Sequence, residues 1–110
     1  MLETAERAAA ELAASGVEAT VWDPRSCAQL DPEMVASAAG FDHVVTLEDG
    51  VRAGGVGMSI ADEVCRLDAT TSVDVLGLPT RFMPHDPRAA NIHTAAGLDV
   101  ASVVELIRSK

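Results

Sequence analysis

The chain has 110 residues, enough for one domain with a modest core, and its 17 acidic against 8 basic residues leave a formal net charge of −9. That balance excludes an electrostatic footprint on nucleic acid or on an anionic membrane surface. Apolar residues make up 48% of the sequence but aromatic ones only 3%, so the core is to be built from Ala, Val, Leu, Ile and Met. No apolar run approaches the roughly 20 residues that cross a bilayer, and residues 1–15 lack a basic start and apolar centre, which predicts a cytosolic protein. Cys27 and Cys65 are too few and too irregularly placed for a disulfide framework or a metal site, and a reducing compartment keeps them as thiols.

Leu2, Ala5, Ala8, Ala9, Leu12 and Ala13 recur at helical spacing, and Gly16 follows where a helix C-cap belongs, so the periodicity predicts an amphipathic helix over 2–15. Val17, Ala19 and Val21 then alternate with polar residues, predicting a strand that ends near Trp22, a side chain expected to fill a gap between layers. Asp31-Pro32-Glu33 supplies an N-cap, a proline at the first helical position and an acid in the first turn, with Gly40 closing a helix over 32–39. The β-branched run of 42–48 reads as a strand buried on both faces of a parallel sheet, and Val73 to Leu78 as another. Between them Gly50, Gly54, Gly55 and Gly57 crowd ahead of a helix carrying Ile60, Ala61, Val64 and Leu67. Asp86-Pro87 opens a helix that Gly97 stops, and Asp99 opens a last one whose inner face is Val100, Val103, Val104 and Ile107.

Strands alternating with helices predict an α/β fold, a three-layer α/β/α domain over 1–110 around a mostly parallel sheet. The first helix has an apolar face but no strand before it, and three strands make a narrow sheet. Both features predict that an upstream strand is lacking and that the chain works within something larger.

A glycine-rich turn leading into a helix N-terminus offers backbone N–H groups to an anion, which makes Gly54, Gly55 and Gly57 a candidate anion or cofactor-phosphate site. The turn lacks both the Lys-Ser/Thr of a P-loop and dinucleotide-fold spacing. Its blander role is tight turning and close helix-to-sheet packing.

Four patches of sequence carry a resemblance. Residues 2–17 are similar to a helix of the type L-x-A-A-E-x-L-A-x-x-G-I, and residues 21–31 to V-x-(N/D)-x-R-x-x-x-P-L-D, with Gln29 where proline is usual. Val45-Thr46-Leu47-Glu48-Asp49 resembles V-T-(V/L)-E-(E/D), and Gly54-Gly55-Val56-Gly57 the G-G-(F/L)-G turn. Together they resemble the C-terminal domain shared by transketolases, 1-deoxy-D-xylulose-5-phosphate synthases and the β subunits of 2-oxoacid dehydrogenases. Residues 76–85 and Gly97-Leu98-Asp99 are similar to the G-L-P-D-x-F-x-x-H and G-L-D of the synthases, although Thr80 replaces an aspartate and Asp86 a glycine.

The resemblance implies a parent enzyme that holds thiamine diphosphate and Mg or another divalent metal between two other domains, with no catalytic residue, cofactor or metal in this chain. In the synthase branch the parent joins the two-carbon unit of pyruvate to glyceraldehyde 3-phosphate. This domain would then support a homodimer, its partners being the remaining domains of the parent. Other readings are a separately encoded subunit docking on such domains, the C-terminal domain of another transketolase or a dehydrogenase β subunit, and a free-standing module that binds phosphate or nucleotide at the glycine turn. Glu48 and Asp49 can be weighed as an acid–base pair, though their position is structural in the resembling family. Arg52 and Arg81 can meet a phosphate but are more ordinarily solvated. His43 is expected to be a packed or capping imidazole, and His85 with His93 lacks a third metal ligand.

Overall fold

The computed structural model describes residues 1–83 and 89–110. Helices α1 (Leu2–Ala14), α2 (Pro32–Ala39), α3 (Val56–Leu67), α4 (Ala89–Ala95) and α5 (Val100–Arg108) alternate with strands β1 (His43–Val51) and β2 (Ser72–Leu78). The helix ends follow from local chemistry. Asp31 caps α2 by accepting from the Glu33 amide at 2.9 Å, with Pro32 at the first helical position. Asp99 caps α5 in the same manner, accepting from the Ser102 amide at 3.0 Å. At the end of α1, Gly16 takes φ +85°, and the Gly16 and Val17 amides donate back to the Ala13 and Leu12 carbonyls. That doubled closure requires a left-handed residue, which glycine supplies without a Cβ clash. Gly97, at φ +72°, closes α4 with the same pair of bonds.

The strands pair in parallel, from His43 opposite Ser72 to Leu47 opposite Leu76, and rejoin at Val51 opposite Leu78 after an irregularity. Side chains alternate across a strand, so each face of this pair meets a different helical layer. On one face Val73 packs against a buried cluster of Met34, Val35, Ala39, Ile60 and Val64 from α2 and α3. On the other, Leu47 and Leu76 pack against Ala8 and Leu12 of α1 and Val103 and Val104 of α5. The result is three layers, helices over sheet over helices, in which apolar strand residues are covered on both sides as the sequence predicts. Thr71 fastens the α2 end to the start of β2, its hydroxyl donating to the Ala39 carbonyl at 3.0 Å.

Two expectations are corrected. Residues 17–22 form no strand: among the described residues the sheet has only β1 and β2, and no strand pairs with this segment. Alternation alone cannot make a strand without a neighbour. Trp22 consequently does not fill a gap between layers but lies 45% exposed. The helix start assigned to Asp86-Pro87 lies outside the described residues, as does His85.

Candidate functional site

The glycine turn is built from the C-terminal end of β1 and the first turn of α3. Gly54 takes φ +73°, which reverses the chain, and Gly55 serves as the N-cap of α3. With no side chain at the cap, the free amide of Gly57 donates instead to Glu48 Oε2 at 2.7 Å. A carboxylate there satisfies an orphan donor and lies at the positive end of the helix dipole. The packing is close enough to fix residue identity. A Cβ on Gly55 would overlap the Glu48 carboxylate and come within 2.7 Å of the Val51 carbonyl oxygen. One on Gly57 would lie 2.8 Å from Val75 Cγ1 and 2.5 Å from the buried Thr46 hydroxyl. The amide expected to face an external anion therefore already holds an internal one.

Glu48 and Asp49 do not act on one centre. Glu48 turns to α3, whereas Asp49 Oδ1 lies 2.9 Å from His93 Nε2 on α4. At the opposite end of the sheet, His43 Nε2 lies 2.7 Å from Asp74 Oδ2, and the Lys110 ammonium lies 3.2 Å from the same oxygen. The His43 hydrogen bond, with help from Lys110, holds the Asp74 carboxyl below the usual carboxylate range against the opposing effect of burial. His43 is thus a packed imidazole with a carboxylate partner. No periodicity announces this three-residue tie, because it depends on the register of β1 against β2 and on where α5 ends.

Arg52 and Arg81 line the same cavity. It has a volume of about 380 Å³ and lies at the C-terminal ends of the strands, with Ala53, Gly77, Pro79, Thr80, Ala95 and Ala96 also among its described lining residues. A larger open groove of about 750 Å³ runs beside α2 and α3, lined by Cys27, Leu30, Val35, Met58 and Leu67 among others. Cys27 and Cys65 are both exposed free thiols.

Holding a diphosphate and its divalent metal requires several converging oxygen ligands. Among the described residues no three His, Cys, Asp or Glu side chains gather in that manner, and the glycine-turn amide is engaged by Glu48. These residues do not fit thiamine diphosphate.

Comparison with known proteins agrees with the geometry. Residues 1–103 match the family described as transketolase, C-terminal domain. The chain is 43% identical over 82 residues to the 1-deoxy-D-xylulose-5-phosphate synthase of Leifsonia xyli, a match covering 74% of this chain and 13% of that protein. Against the enzyme of the same name from Kocuria rhizophila it is 42% identical over 87 residues, covering 79% of this chain and 12% of the relative. Against that from Thioalkalivibrio sulfidiphilus it is 38% identical over 103 residues, covering 93% and 16%. The chain thus spans about an eighth of the length of these relatives, with 13% and 12% covered in the first two. A parallel strand pair between helical layers, a glycine turn closed by its own glutamate and a match along nearly the whole chain place it in the transketolase C-terminal domain family.

Proposed function

We propose that this chain is the non-catalytic C-terminal domain of a thiamine-diphosphate-dependent enzyme that decarboxylates pyruvate and joins the remaining two-carbon unit to glyceraldehyde 3-phosphate, giving 1-deoxy-D-xylulose 5-phosphate and CO2. The observation that carries the proposal is the 38–43% identity to synthases bearing that name, sustained over 74–93% of this chain. The relatives' much greater length supports a parent whose other domains hold the cofactor, its divalent metal and the substrates. The engaged glycine turn supports a structural role for Gly54, Gly55 and Gly57 over anion binding. The proposal includes a homodimeric, cytoplasmic parent.

A chimera tests it. The Leifsonia synthase with this chain in place of its own C-terminal domain is expected to make 1-deoxy-D-xylulose 5-phosphate at a rate within about tenfold of the native enzyme. A chimera that folds and dimerises but makes no product would sink the synthase assignment. Calorimetry supplies a second check: this chain alone is expected to give no heat with thiamine diphosphate and Mg²⁺, and micromolar binding would contradict a non-catalytic role.

A further inference from the structure

The cavity at the C-terminal ends of β1 and β2 has an unusual charge for this molecule. In a chain with 17 acidic residues, its wall contains two arginines and, among the described residues, no carboxylate. Arg52 is held from three directions. Its backbone amide donates to the Leu78 carbonyl at 2.8 Å, and its guanidinium Nε–H donates to the Val75 carbonyl at 2.8 Å. Gly77 lies directly against its backbone, where a Cβ would come 3.0 Å from Arg52 Cα. With Nε committed, the two Nη groups are oriented in advance, and an oriented fork loses less freedom on gripping an oxyanion. Arg81 is exposed and has no hydrogen-bond or ion-pair partner among the described residues. Thr80, which carries a hydroxyl able to donate or accept, also lines the cavity.

Ala95 and Ala96, at the end of α4, line the cavity. The Ile92, His93 and Thr94 carbonyls just before them accept from the amides of Ala96, Leu98 and Gly97, so these three are turned to their own chain. In open parallel sheets, the crevice outside the carboxyl ends of the strands is also where small ligands settle.

We propose that Arg52, Thr80 and Arg81 form a binding site for a phosphate oxyanion, carried by a small phosphate monoester or by free phosphate. Paired guanidinium groups suit this chemistry because each offers parallel N–H donors that match phosphate oxygens. The site adjoins the glycine turn, whose Gly55 amide donates to the Arg52 carbonyl at 3.2 Å, but uses none of its glycines, and its existence does not depend on which reaction the parent performs.

The test is a titration of the ¹⁵N-labelled chain with inorganic phosphate, followed by amide chemical shifts and run against sodium chloride at matched ionic strength. The amides of Ala53, Gly77 and Thr80 are expected to shift saturably, while those of Ser15 and Asp99 stay fixed. Arg81→Gln should weaken the affinity roughly tenfold, since it removes a charge-assisted contact. It has no hydrogen bond or ion pair to lose among the described residues, so the spectrum should otherwise change little. Arg52→Gln should weaken binding similarly, and Arg25→Gln, at an exposed arginine elsewhere, should not. A parallel titration with glycerol 3-phosphate separates the sources: tighter binding than phosphate identifies a monoester as the occupant, weaker binding the free ion. Non-saturating shifts, shifts that chloride reproduces, or an affinity indifferent to Arg81→Gln would overturn the proposal.

Discussion

The Glu48 carboxylate shows how one side chain constrains two glycines. It accepts from Gly57 at the start of α3 and occupies the space that a side chain on Gly55 would need. Glu48→Ala should therefore cost about 1–2 kcal/mol in urea denaturation, the range for losing a charged helix cap. The glycines should separate by mechanism. Gly55→Ala forces backbone or the Glu48 cap to move and should cost more than Gly54→Ala, which meets nothing within 4 Å and suffers only left-handed strain of about 1 kcal/mol. Equal losses at both positions would show that the carboxylate is not seated as described. Asp74 gives a pH dependence whose direction follows from its depressed pKa. Its stabilising contribution is full above the ordinary aspartate value near 3.9 and is lost as pH falls through the lower folded value. Stability should thus fall as pH drops below about 4, and Asp74→Asn should be less stable at neutral pH with a shallower acid limb in denaturation midpoints. The glycine spacing alone made an anion site legible but not its occupant, because periodicity cannot say that Glu48 folds back over the turn. That Arg52 and Arg81 line one cavity was equally invisible, since they share it only once β1 and β2 lie side by side.

At the level of elements, the capping residues carried the most readable information. Asp31, Pro32 and Asp99 act within a turn of their own helix, so their effect needs no knowledge of the rest of the chain. Residues 17–22 mark the limit of that reading: Val17, Ala19 and Val21 have the alternation of a strand, yet β structure is a property of pairs, and no described strand pairs with them. The apolar stripe of α1 was legible, whereas its partner was not, because α1 packs on α5 from the far end of the sequence. Leu12, 1% exposed between these helices, is the sensitive point of that layer. Leu12→Ala should cost about 2–5 kcal/mol by denaturation. Against a total of about 5–15 kcal/mol for an ordinary domain, that loss brings the chain close to unfolding. Val51→Ala, at a side chain 45% exposed, should stay within about 1 kcal/mol and serves as the control.

For the whole molecule, the net charge of −9 sets a long-range term that no single contact describes. The domain measures 40 × 34 × 23 Å. At 0.01 M salt the screening length is about 30 Å, so acids on opposite sides repel one another; at 0.15 M it shrinks to about 8 Å. The urea midpoint should accordingly rise when sodium chloride is added over this range, and a midpoint that stays flat would mean that local pairs already neutralise the charge. The two apolar clusters have different histories along the chain. One is assembled from α2, α3 and β2, which are close in sequence, whereas the other joins α1 to α5 and is tied again where Arg108 donates to the Ser15 hydroxyl at 3.0 Å. During synthesis α1 must wait for α5 before its apolar face, and that of Leu47 and Leu76, can be covered from within this domain. That cluster therefore lacks the Val103 and Val104 half of its cover until α5 is made, and a chain stopped before α5 is expected to leave Ala8, Leu12, Leu47 and Leu76 more open to water and to chaperones.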